Sequence, residues 1–216
     1  LELSSFQLED SPTLRPRIAV VLNISPNHLD RHGTLENYAR AKENIFKNQK
    51  SHDTLILNAD DTRVRVMAEK AASRIVFFSM NPLKAGVYFK EGVVVRRAGP
   101  HEETLLDTAS LRLKGKHNLQ NVMACAAVAA RLRVSKKKLQ DSLDRFEPLP
   151  HRIEPLGEVG GVRFVNDSKS TTVESTRAAI LAMGCPIILV AGGRDKGLPF
   201  TELEPVLREH VKAAVL

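Results

Sequence analysis

Ile18-Ala-Val-Val-Leu-Asn-Ile24, then Ser25-Pro-Asn-His28-Leu-Asp30-Arg-His-Gly33, then Thr34-Leu-Glu-Asn-Tyr38-Ala-Arg-Ala-Lys42-Glu-Asn-Ile45-Phe46, reads as strand, loop and helix in that order. The first seven residues are an almost unbroken apolar run, the pattern of a strand buried on both faces. A helix starting at Thr34 puts Leu35, Tyr38, Lys42, Ile45 and Phe46 on one stripe. Units of this kind build open α/β sheets, whose ligands bind beyond the carboxyl ends of the strands. The loop therefore carries Asn27, His28 and Asp30 to where such sites form.

Lys42 is the anomaly in that stripe, one turn from both Tyr38 and Phe46. An unpaired buried ammonium costs on the order of several kcal/mol. Such a lysine is paired with an anion, deprotonated by desolvation, or chemically converted. The plainer alternative is that it snorkels, its stem on the core and its amine in water.

Working outward, Asp53–Asn58 and Arg74–Ser79 are further apolar runs, separated by a charged helix expected from about Thr62 to Ala72. Gly86–Arg96 reads as a hairpin turning at Glu91-Gly92, and Ser110–Leu113 as another strand. Two helices follow, from near Asn118 to Arg133 with Val122, Ala126 and Ala129 on one face, and from Ser135 to Arg145. Pro148 and Pro150 disfavour continuous helix, so the domain boundary is expected there, dividing 1–148 from 149–216. Beyond it come a hairpin (Ile153–Leu156 with Val162–Val165), a helix near Val173–Met183, the strand Pro186–Val190, a helix Thr201–Val211 and the strand Ala213–Leu216. The expected fold is α/β: a mostly parallel central sheet with flanking helices, followed by part of a Rossmann-like domain.

The 216 residues are 43% hydrophobic and 26% charged, with no run long enough to cross a membrane. Cys125 and Cys185 lack metal-ligand spacing and read as reduced and buried, which suits a cytoplasmic location. The net charge of +7 falls entirely before residue 151, where 24 basic residues face 17 acidic ones, the rest of the chain carrying eight of each. Lys136-Lys137-Lys138 could suggest nucleic acid, but aromatics are only 5%, Trp is absent, and no nucleic-acid motif occurs, so a solvated helix face explains the triplet.

Glu2-Leu-Ser-Ser-Phe-Gln-Leu-Glu9, Asn27-His-Leu-Asp30 with Tyr38-x-x-Ala-Lys42-x-x-Ile-Phe46, Gly115-Lys-His-Asn118-Leu-Gln-Asn121, Leu149-Pro-His-Arg152, Asn166-Asp-Ser-Lys169-Ser-Thr171 and Gly192-Gly-Arg-Asp-Lys196-Gly197 together resemble the Mur ligases. The first segment resembles the branch that joins D-glutamate to UDP-N-acetylmuramoyl-L-alanine. The resemblance implies an ATP-dependent ligase that makes an acyl phosphate in peptidoglycan precursor synthesis, with Mg²⁺, acting as a monomer without nucleic acid or membrane partners. The family's glycine-rich phosphate loop is nowhere in these residues. The chain is therefore expected to be an internal piece of a longer enzyme, inactive alone, with that loop, the nucleotide-sugar domain and the end of the C-terminal domain outside it.

The resemblance also implies roles. Lys42 corresponds to a lysine that the family carbamylates, in effect a long carboxylate beside magnesium, with Glu2 and His28 as further metal ligands. Mg²⁺ prefers oxygen, so His28 is an unusual partner for it. Asn121 corresponds to the reader of the adenine edge, Arg152 to an arginine that reaches ATP, and Asp167 to the carboxylate on its ribose. Lys169 and Thr171, before a helix whose free N–H groups favour anions, would receive the incoming amino acid with Lys196. Thr172 stands where the family often has Asn. Without the resemblance, Glu2, Arg152, Asp167 and Lys196 read as solvated charges and Asn121 as an ordinary cap. A sister ligase adding another amino acid, or a folate-polyglutamylating enzyme, is the alternative within the superfamily; a basic nucleic-acid-binding α/β protein is the alternative outside it.

Overall fold

A computed structural model describes residues 1–113, 115–193 and 200–216. They form two compact units: Leu1–Leu111 with Gln120–Arg145, and Arg112–Leu119 with Phe146–Leu216. The sequence suggested a boundary at 148/149. The contacts part the chain after Arg145 instead, and group 112–119 with the later segment.

In the first unit the elements run α1 (Ser5–Glu9), β1 (Ile18–Val21), α2 (Leu29–His32), α3 (Leu35–Glu43), β2 (Thr54–Asn58), α4 (Thr62–Arg65), β3 (Arg74–Ser79), β4 (Gly86–Lys90), β5 (Val93–Ala98) and β6 (His101–Asp107). Their six strands make one sheet in sequence order. Strands β1 to β4 pair in parallel, and β4-β5-β6 is an antiparallel meander. All five residues of β2 are buried, as its place inside the parallel part requires. Successive residues face opposite sides. Leu55 and Leu57 pack with Ala19, Val21, Tyr38, Phe46, Val64 and Met67. On the side of Ile56, Thr54 Oγ1 accepts a 2.8 Å hydrogen bond from Arg131 at the end of α5 (Lys116–Arg131), which buries Val122, Met123, Ala126 and Ala129. α6 (Lys136–Asp144) follows, capped by Ser135.

The second unit holds two small sheets. β7 (Glu154–Val159) and β8 (Val162–Asn166) form an antiparallel hairpin. β9 (Ile187–Val190) and β10 (Val211–Val215) pair in parallel, with α7 (Val173–Ala182) and α8 (Glu204–His210) in the connections. The mixed α/β architecture with a mostly parallel central sheet agrees with the reading of the sequence.

Several local expectations are corrected. The helix expected over Thr62–Ala72 stops at Arg65 and tightens to a 3₁₀ turn at Val66–Glu69. Helix α3 ends at Glu43, so Ile45 and Phe46 sit in the following turns, although Phe46 is still buried. Ser110–Leu113 lies outside every strand, while β6 was not anticipated. α5 starts at Lys116, which puts Asn118 and Asn121 inside the helix rather than at its cap or first turn. Cys125 and Cys185 are free but exposed, not buried.

Candidate functional site

Local chemistry fixes the loops at the carboxyl ends of β1 and β2. Asp61 caps α4, its Oδ1 accepting from the amides of Arg63 (2.9 Å) and Val64 (3.1 Å), while its Oδ2 accepts from Ile24 N at 2.8 Å. One carboxylate thus holds the exit of β1 against the exit of β2. Its neighbour Asp60 accepts from Ser79 Oγ (2.6 Å) and Met80 N (2.7 Å) beyond β3, and from Gln120 Nε2 at 3.4 Å.

The chain then delivers His28 in the left-handed region at φ 53°, at the start of α2, with its ring exposed. Across from it, α1 begins with a capping box: Gln7 N donates to Ser4 Oγ (3.2 Å) and Ser4 N donates to Gln7 Oε1 (2.9 Å). That box fixes the preceding residues. Lys42 reaches them from α3, its Nζ donating to the Leu3 carbonyl at 3.3 Å and lying 5.8 Å from the Tyr38 ring centroid. Burial pushes the Lys42 amine below the ordinary lysine range, and the Glu2 carboxylate opposes that shift. Glu2 itself is exposed.

Glu2 and Lys42 are therefore neighbours. His28 joins them only through a chain of rings. Its imidazole stands edge-on to Phe6 at 5.1 Å, Phe6 lies 5.7 Å from His32, and His32 lies 5.5 Å from Tyr38. Among the described residues no group of three His, Cys, Asp or Glu side chains could by itself hold a metal. An ammonium at Lys42 would repel Mg²⁺, whereas a carbamate there would add two anionic oxygens beside Glu2, the hard donors this ion takes. The residues fit the ion in that form.

In the second unit, two segments lie side by side. Asp167 Oδ1 accepts from Ile153 N at 3.0 Å, and Lys169 N donates to the His151 carbonyl at 3.1 Å, which brings Asp167 and Lys169 beside Arg152. Burial lowers the His117 imidazole below its ordinary value, against the nearby Asp167 carboxylate. Gly115 adopts φ 91°, and a Cβ there would meet His117 Cε1 at 2.9 Å. Thr172 caps α7 through Ser175 N (3.2 Å), leaving Thr171 exposed just before the helix. Asn121 is exposed on the second turn of α5. Lys196 lies outside the described residues.

Residues 1–129 match the Mur ligase middle domain. The chain belongs to the Mur ligase family. Among curated relatives, this Mur ligase chain is similar to the UDP-N-acetylmuramoylalanine–D-glutamate ligase of Acidobacterium capsulatum, at 45% identity over 99% of this chain and 47% of the relative. It is also similar to the ligase of the same name from Pelotomaculum thermopropionicum, at 42% identity over all of this chain and 48% of that one. The chain thus spans about half the length of the curated relatives it matches. Among solved structures it is similar in fold to the MurF ligase of Thermotoga maritima in complex with ADP, with a TM-score of 0.69 and 18% identity over 99% of this chain and 56% of that one.

Sequence reasoning missed four side chains that build this part of the Mur ligase fold. Asp60 and Asp61 were legible in principle, since paired carboxylates directly after a buried strand stand at a helix start. Ser5 and His32, both buried, were not singled out. The only signal for His32 was its spacing of four from His28.

Proposed function

We propose that the protein carrying this chain uses ATP to join D-glutamate to UDP-N-acetylmuramoyl-L-alanine, releasing ADP and phosphate, as a cytoplasmic monomer in peptidoglycan precursor synthesis. The observation that carries this reading is the half-buried Lys42 amine, held at the Leu3 carbonyl beside Glu2 in the segment that points to the D-glutamate-adding branch. Relatives named for that reaction match essentially the whole chain, and a neighbour in fold was solved with ADP; both support the reading.

Burial shifts the Lys42 amine toward its neutral, nucleophilic form. Lys42 attacks CO₂: an N–C bond forms as one C=O π pair moves onto oxygen, the nitrogen gives up a proton to water, and the carbamate removes the cost of a buried ammonium. Glu2, the Lys42 carbamate and His28 would hold Mg²⁺. The ion, when bound, neutralises charge on the phosphoryl oxygens during transfer. Asn121 reads the adenine edge, Asp167 the ribose hydroxyls, and Arg152 meets phosphate charge. Lys169 and Thr171, with Lys196, bind the carboxylates of D-glutamate and orient its amine toward the acyl phosphate.

Phosphate release by the complete protein, with each substrate omitted in turn, tests this. Release should require ATP, UDP-N-acetylmuramoyl-L-alanine and D-glutamate together. Equal release with L-alanine or a diamino acid in place of D-glutamate would overturn the assignment.

A further inference from the structure

Ser5 and His32 form a buried polar contact where α1 meets α2. Ser5 is 1% exposed and His32 8%, and the hydroxyl lies 3.0 Å from His32 Nε2. On the other edge of the same ring, Nδ1 lies 3.8 Å from Glu9 Oε1. Ser5 and Glu9 are the two ends of α1, so a single imidazole spans the length of that helix. The His32 carbonyl in turn accepts from Asn37 Nδ2 at 3.0 Å, which ties α2 to α3. Its ring occupies the middle of the series His28, Phe6, His32, Tyr38, Lys42, each within ring-contact distance of the next.

We infer that His32 is a positioning residue: it locks α1 to α2 through Ser5, and through Phe6 and Tyr38 it sets the placement of the His28 ring and the Lys42 amine. The inference rests on the proposed role of Lys42 and His28. Two buried polar groups that satisfy each other admit one relative placement of the helices that carry them, whereas an apolar contact tolerates sliding. Sliding α1 displaces the Leu3 carbonyl to which Lys42 donates and the Phe6 ring against which His28 stands. His32 touches neither end of the series; it acts on both through its neighbours.

The variants are His32→Phe, which keeps a ring but leaves the Ser5 hydroxyl unpaired, Ser5→Ala, and the pair together, all in the complete protein. Each single change should lower kcat per folded molecule by tenfold or more and alter the KM for ATP less than threefold. The double variant should lose little beyond the worse single, because both remove one contact. The second readout is the His28 ring resonance in protein labelled with ring-¹³C histidine, displaced by the Phe6 ring current. It should move toward the solvent-exposed position in His32→Phe and in Ser5→Ala. An unmoved His28 resonance, or a loss of activity fully accounted for by a smaller folded fraction, overturns the positioning role. Lys42→Ala separates the two claims: if it retains turnover the functional reading fails, whereas loss there with unchanged kcat in the His32 and Ser5 variants defeats this inference alone.

Discussion

Asp61 shows how much one side chain organises. It caps α4 and also accepts the amide of Ile24, a residue only 4% exposed. Asp61→Ala removes a cap worth about 1 kcal/mol and leaves a buried amide unpaired, so a loss of roughly 2–3 kcal/mol is expected in denaturant unfolding. Asp61→Asn keeps only one of the two acceptor oxygens, so it should lose one of these two contributions and fall between the parent and Asp61→Ala. At this scale Lys42 was legible because an ammonium on an apolar stripe violates a pattern, and violations show in a string of letters. His32 and Ser5 violate nothing: a histidine in a polar loop and a serine after a cap are ordinary, and their burial depends on α1 folding across α2. The helix that carries Asn121 begins earlier than the sequence suggests, because Gly115 and Lys116 give no start signal strong enough to mark its first residue.

The meander shows what local pattern cannot carry. β6, His101-Glu-Glu-Thr-Leu-Leu-Asp107, lacks clean alternation and was passed over. Partners on neighbouring elements hold it: Glu102 meets its cross-strand partner Arg97 and, on β4, Tyr88 and Lys90 (2.8 Å), while Glu103 meets its cross-strand partner Arg96 and, on α6, Lys136 (3.1 Å). Such pairs appear only once register is known. Ser110–Leu113 has the better alternation, yet lies outside every strand. Hydrogen bonds from Lys90 and Tyr88, with Arg97, bring the Glu102 carboxyl down to about 2 from an ordinary 4.5. A depressed carboxylate stabilises the fold fully above its unfolded value, and that contribution is lost as pH falls toward the folded value. The urea midpoint should therefore drop between about pH 5 and pH 2, and Glu102→Gln should show a visibly shallower drop over that window. An identical pH profile in the variant would remove Glu102 from the account of the meander.

At the scale of the whole molecule, the two units differ in how they are built. β2 is buried along its length, whereas β7 and β8 expose most of their residues. Amide exchange should accordingly be at least about a hundredfold slower in β2 than in the β7–β8 hairpin, since the cost of local opening follows burial. Equal protection would contradict that difference. The alternation of strands and helices was legible because apolar runs of parallel strands are long and unambiguous. The division into units was less so: prolines at 148 and 150 mark where a helix cannot continue, but which segment residues 112–119 join is decided by tertiary packing.

Lys42 is proposed to serve as an anion beside Glu2 in a ligase that activates a carboxylate. Turnover of Lys42→Ala in the complete protein, measured with and without a small carboxylic acid such as formate or acetate, tests it most directly. Turnover should fall a thousandfold or more and be partly restored by the acid occupying the vacated position. Near-normal turnover without the acid would contradict it.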